Sequence, residues 1–219
     1  MSSFALKILG ILTMCIDHLG FMFFQDEISY RLIGRLAMPI FAFQLAVGFS
    51  HSKNKEKHIL RMLIFAIISQ VPFSIFRFFA TSETSLLLNI GFTFLFGLLG
   101  MYICDKTKNI FSKLIGVLGV FILSHIVPVD YGLFGTALCV VFYICRSSKL
   151  KTILGGTFII CCKLLTEKLA WRIPTLYALI PISFYNGKKG LDTKFTKNLF
   201  YVFYPLHMII FTIIYQVIQ

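Results

Sequence analysis

FALKILGILTMCIDHLGFMFF, residues 4–24, is an apolar run broken only by Lys7 near its start and by the adjacent Asp17 and His18 near its end. At the helical rise of ~1.5 Å per residue the run is a rod of ~30 Å, the thickness of a bilayer's hydrocarbon core. A cleavable secretory leader has a purely apolar centre followed by small residues. Here Asp17 and His18 interrupt the centre and no such site follows, so the run is expected as a retained first span.

Similar runs follow at 29–50, 59–79, 86–104, 110–128, 131–145, 152–166, 170–186 and 197–217, joined by short linkers. The expectation is an all-α integral membrane protein, a polytopic bundle of about nine transmembrane helices making one domain over residues 1–219. The sixth, seventh and eighth runs fall short of the ~20 residues that a crossing needs, so either a broken or re-entrant segment among them or a locally thinned bilayer is expected. Composition agrees: 58% of residues are hydrophobic, 14% are charged and the mean hydropathy is +0.84, whereas a soluble domain is about a quarter charged.

The net charge of +12 does not point to nucleic acid, because the basic residues recur in short clusters between apolar runs. With the amino terminus placed in the cytoplasm, the inner loops hold Lys7; Lys53, Lys55, Lys57 and Arg61; Lys106, Lys108 and Lys113; Arg146, Lys149 and Lys151; and Lys188, Lys189, Lys194 and Lys197. Fifteen of the 21 Lys and Arg thus lie inside, against Arg77, Lys163, Lys168 and Arg172 outside. That asymmetry follows the positive-inside rule. The expected location is a bacterial plasma membrane, crossed several times. The six Cys lack CxxC or zinc-type spacing and read as small buried hydrophobes, and no metal is expected.

Ionisable groups at membrane depth are costly and normally face a polar interior, paired with one another. Asp17 and His18 lie in the outer half of the first span, Arg31 and Arg35 enter the second from the outer side, and His207 lies near the middle of the last. By helical rise, His18 and Arg35 are each ~9 Å deep and His207 is ~15 Å from the inner end, within side-chain reach of the same level. Asp17 and His18 point ~100° apart, so Asp17 is suited to neutralise Arg31 or Arg35, leaving His18 for a cavity. Pro39 continues the Arg31–Arg35 face and is expected to kink its helix. Asn198, Tyr201, Tyr204 and His207 form a polar stripe, as do Asn89, Thr93 and Gly97; such stripes serve helix packing as well as sites.

The stretches LKILGILTMCIDHLGFMFF and YRLIGRLAMPIFAFQLAVGF, then RMLIFAIISQVPFSIF, NIGFTFLFGLLGMY, VDYGLFG, LYALIPISFYNGKKG and FYVFYPLHMIIF, resemble the TraX family in order along most of the chain. The resemblance places the family's Asp-His pair on Asp17 and His18, its Ile-Gly-Arg segment on Arg35, and its Tyr-Pro-x-His segment on Tyr204, Pro205 and His207. Gln44 and Gln70 stand where an acidic residue is the commoner choice. The family is named for a conjugation-system membrane protein required for amino-terminal acetylation of pilin. It is similar in outline to multi-span acyltransferases that carry acetyl groups across membranes.

The resemblance implies a membrane acyltransferase using cytoplasmic acetyl-CoA, with a peptide, glycan or lipid as acceptor and membrane lipid as surroundings. His18 is then the general base or a transient acetyl carrier, Arg35 the charge stabiliser held by Asp17, and His207 with Tyr204 a second proton-transfer or carbonyl-polarising group. Arg31, Asn89, Thr93, Tyr201 and Tyr204 are the candidate substrate-binding residues. The competing expectation is a proton- or ion-coupled transporter in which Asp17, His18 and Arg35 form a relay, with kinks at Pro39, Pro72, Pro174, Pro181 and Pro205.

Overall fold

The computed structural model describes residues 1–164, 173–191 and 193–218, with side chains for all of these except 164 and 194–200. The expected outer basic residues Lys168 and Arg172 lie outside the described residues, as do parts of the seventh and eighth expected spans; the Asn198 side chain lies outside the described side chains. Helices run as α1 (Ser3–Phe23), α2 (Ile28–Gly34), α3 (Ala37–Ser50), α4 (Lys55–Thr81), α5 (Ile90–Lys106) and α6 (Ile110–Ile126). They continue as α7 (Gly132–Cys145), α8 (Lys149–Leu164), α9 (Ile173–Tyr177), α10 (Leu179–Ser183) and α11 (Lys194–Ile218).

Polar residues just ahead of the apolar runs start several helices. The Ser2 hydroxyl accepts from the Ala5 amide at 3.2 Å, Asn54 accepts from Lys57 at 2.7 Å, and Asn109 accepts from Phe111 at 2.9 Å. Each satisfies one amide that the first turn leaves without a helical partner. Two of the expected spans are broken, and proline explains both. Pro39 cannot donate to the Arg35 carbonyl and its ring crowds that oxygen, so the second span breaks at Arg35–Leu36. Pro181 stands in the same relation to Tyr177, where α9 gives way to α10. Pro72 and Pro205 remain inside α4 and α11.

Among the described residues, four of the nine expected spans coincide with helical stretches long and apolar enough to cross a membrane: Ser3–Phe23, Ile28–Ser50, Lys55–Thr81 and Tyr201–Ile218. Apolar helices at Ile110–Ile126, Gly132–Cys145 and Ile173–Ser183 are shorter. α3 is the central helix, with Ile40, Phe43 and Phe49 buried against Leu98 and Met101 of α5 and Leu138 and Phe142 of α7. A second cluster joins Met22, Phe73, Phe76, Tyr204 and Met208 from α1, α4 and α11. Outward faces carry Ile67, Ile68 and Val71 on α4, Phe111, Ile115 and Ile122 on α6, and Ile210, Ile213 and Val217 on α11. An apolar belt of this extent suits lipid rather than water.

Candidate active site

α1 and α2 form a tight hairpin because glycine stands at both close approaches. A Cβ on Gly20 would lie 2.3 Å from the Tyr30 Cβ, and one on Gly34 would lie 2.1 Å from Asp17 Oδ1. This seats the Asp17 carboxylate on the backbone of α2, where Arg31 Nη1 donates to Asp17 Oδ2 at 2.7 Å. The same nitrogen reaches the Asp17 carbonyl at 3.3 Å, and the guanidinium lies 5.0 Å from the centre of the Phe21 ring. Arg31, not Arg35, is therefore the residue that holds Asp17. Arg35 closes the last turn of α2, its N–H donating to the Arg31 carbonyl at 3.2 Å, and the chain breaks just beyond it. Arg35 faces the cavity, and its buried Nε–H has no acceptor among the described residues.

His18 points from α1 toward α11. Its Nδ1 lies 2.6 Å from His207 Nε2, and His207 Nδ1 lies 2.9 Å from the Phe203 carbonyl one turn back. The ring centroids are 4.9 Å apart with the planes 11° from parallel. With nitrogens so much closer than centroids, the rings meet edge to edge in nearly one plane, as an in-line N–H···N bond requires. A carbonyl can only accept, so His207 Nδ1 carries the proton and donates to it. The Nε2 of a neutral His207 is then an acceptor, and His18 Nδ1 must donate to it. His18 Nε2 is left with its lone pair. His207 is only 4% exposed and is enclosed by Phe203, Tyr204 and Phe211.

His18 lines a cavity of about 1430 Å³; His207 does not reach it and stands behind His18. One end of the cavity, beside the start of α1 and of α4, is bordered by Lys7, Lys53, His58, Arg61 and Lys189. There the 184–190 loop is laced to the first residues: the Ser3 and Phe4 amides donate to the Lys188 and Lys189 carbonyls at 2.9 and 3.0 Å. The other end, beside the end of α1 and of α4, holds Asp17, Arg31, Arg35, Arg77, Asp130 and Tyr131. Gln25 Nε2 donating to the Ala80 carbonyl at 2.7 Å ties those two helix ends together.

Arg31, Tyr201 and Tyr204 of the expected substrate-binding set line the cavity, whereas Asn89 and Thr93 do not. Asn89 caps α5 through the Gly91 amide at 2.8 Å, and its amide group donates to the Ala66 carbonyl and to Gln70 Oε1. Thr93 donates to the Asp130 carbonyl. The regular step between them is thus used to hold backbone. Asp130 and Arg77 were not among the expected site residues. Asp130 reaches the cavity through a turn in which Tyr131 and Gly132 take φ of 63° and 46°, held by the Leu88 and Asp130 amides donating to Pro128 and Leu88 at 2.8 and 2.9 Å. The VDYG tetrad, with an acid two residues ahead of a glycine between apolar runs, is the signal that marks it. Burial pushes the Asp130 carboxyl up to about 6; Asp17 nearby adds to this and Arg77, Arg35 and Arg31 oppose it.

Among characterised sequences, "Probable fimbrial assembly protein FimC, serogroup H1" of Dichelobacter nodosus is 28% identical over 231 residues, covering 94% of this chain and 93% of the relative. An uncharacterized protein of Rickettsia prowazekii (strain Madrid E) is 26% identical over 148 residues, which cover 66% of this chain and 56% of that protein. No solved structure matches. The family model described as TraX protein matches residues 2–215, nearly the whole length over which the motifs around Asp17-His18, Arg35 and His207 are spread, and the chain belongs to the TraX family.

Proposed function

We propose that the protein is an integral membrane acyltransferase that moves an acetyl group from acetyl-CoA to an amine or hydroxyl of a peptide, glycan or lipid acceptor. The observation that carries this reading is the proton-directed chain from the Phe203 carbonyl through His207 to His18, which leaves a basic nitrogen on a residue that lines a large cavity. His18 Nε2 takes the proton from the acceptor as the acceptor's lone pair forms a bond to the acetyl carbonyl carbon. The C–S bond then breaks, and the imidazolium returns the proton to the leaving thiolate, so that free CoA and the acetylated acceptor result. The positive charge gained by His18 is shared through Nδ1–H with His207, a neutral acceptor in the place where hydrolytic triads use a carboxylate. Arg35, with an uncommitted Nε–H, stabilises the oxyanion of the tetrahedral intermediate. His207 acts through His18 and is a positioning residue.

The amino terminus and the basic end of the cavity face the cytoplasm of a bacterial plasma membrane in this reading, in line with the excess of Lys and Arg in that set of loops. Lys7, Lys53 and Arg61 then border the entrance on the side that supplies the acyl donor, and their charge suits its phosphates. The fimbrial-assembly name of the Dichelobacter relative supports a peptide acceptor of the pilin kind. The test is incubation of purified protein with acetyl-labelled acetyl-CoA. Wild type is expected to release or transfer label slowly, and His18→Ala is expected to do neither while eluting as folded protein. Undiminished turnover by His18→Ala removes the proposed base.

A further inference from the structure

We propose that the end of the cavity remote from the basic entrance is a binding site for a phosphate group, held between Arg35 and Arg77. The two guanidinium groups arrive from separate elements, Arg77 from the last turns of α4 and Arg35 from the break between α2 and α3. Both face the same space, and in both the buried Nε–H lacks an acceptor among the described residues. Arg31 differs: its guanidinium is committed to Asp17 at 2.7 Å. Among the described residues, neither Arg35 nor Arg77 forms an ion pair with Asp130, although all three line this end.

Arg77 is also held for the purpose. Its guanidinium carbon lies 5.8 Å from the ring centres of both Phe21 and Phe73, so aromatic faces fix its approach without using its N–H groups. A guanidinium matches carboxylate or phosphate through paired N–H donors. One fork occupies both oxygens of a planar carboxylate, whereas a tetrahedral phosphate can present separate oxygens to a second fork arriving from another element. Two uncommitted arginines from two elements therefore favour phosphate. Asp130, pushed up to about 6 by burial, is readily neutralised beside such an anion. The phosphate can belong to a lipid headgroup or to a free phosphate ester. The site shares Arg35 with the acyl-transfer reading but uses neither its base, His18, nor the basic entrance, and Arg77 belongs to the phosphate site alone.

The experiment uses the full chain in a maltoside detergent free of phospholipid, titrated calorimetrically with inorganic phosphate or with water-soluble dihexanoyl phosphatidylglycerol. Binding of at least one probe to wild type, weakened about tenfold or more by Arg77→Gln and less by Arg77→Lys, is the expected result. Binding of the phospholipid alone assigns the site to a headgroup, and binding of inorganic phosphate assigns it to a phosphate ester. Failure of both probes to bind, or equal affinity in wild type and Arg77→Gln, overturns the proposal. Should Arg77→Gln fail to fold, phenylglyoxal modification of wild-type Arg77 decides the matter: protection by the probe supports the site and full reactivity in its presence overturns it. His18→Ala is expected to bind the probes as wild type does, so loss of acetyl transfer and loss of phosphate binding are read separately.

Discussion

Replacing His207 by leucine removes the acceptor for His18 Nδ1–H without altering any group that faces the cavity. The lost contact is a 2.6 Å bond to a ring that is only 4% exposed. A buried donor left without a partner costs ~1–3 kcal/mol, and the cost falls on the state in which His18 must hold its base nitrogen forward as it gains charge. The expected loss in kcat is therefore about 5- to 150-fold. KM for the acyl donor is expected to stay near the wild-type value, since His207 borders no part of the binding space. His207→Gln keeps an amide oxygen able to accept from His18 and is expected to recover part of the rate. The assay is turnover of acetyl-labelled acetyl-CoA by folded, size-exclusion-matched proteins. Wild-type kcat in His207→Leu, or a loss confined to KM, refutes the reasoning that His207 sets the tautomer and aim of His18.

Other predictions concern the groups around this pair. Asp17→Ala leaves the half-buried Arg31 without its partner and is expected to lower stability by ~1–3 kcal/mol in detergent unfolding, while Asp17→Ala with Arg31→Met recovers much of the loss; equal stability of the single and double variants contradicts a paired clamp. Gly34→Ala forces a methyl group into Asp17 and is expected to cost ~1–3 kcal/mol, measured as a lower Tm. Sulfate, whose own charge is constant across the range, is expected to bind more tightly as pH falls from 7 to 5. Asp130 titrates at about 6 and loses a repelling negative charge on protonation. Arg31, Arg35, Arg77, Lys163 and Asp17 face the same space; Asp130→Asn separates the effect of Asp130 from theirs and is expected to flatten the profile. A profile unchanged by that substitution contradicts the assignment.

What could be read in the sequence follows from how each feature is encoded. Ionisable residues in apolar runs announce themselves, so Asp17, His18, Arg31, Arg35 and His207 stand out by cost alone. Local geometry is also legible: Pro39 signals a disturbed helix, and the break falls where its ring meets the Arg35 carbonyl. The pairing is less legible, because Arg31 and Arg35 are one helical turn apart and spacing alone does not say which of them meets Asp17. Spacing misleads for Asn89 and Thr93, whose regular step looks like a polar face although both hydrogen-bond to backbone. Arg77 and Asp130 belong to a helix end and a loop brought together only by the tertiary fold, and no period along the chain records that meeting. His18 and His207 are 189 residues apart, so their contact could be reached by depth but not their proton order, which depends on the Phe203 carbonyl.

The most direct test of the central claim is acetyl transfer in sealed vesicles whose protein presents its basic loops outward, compared between wild type and His18→Gln, with proton movement recorded in the absence of any acyl donor. Label transfer by wild type, its loss in His18→Gln, and no proton movement without donor are expected. Transfer that persists in His18→Gln, or proton flux that needs no acyl donor and depends on His18, contradicts the claim.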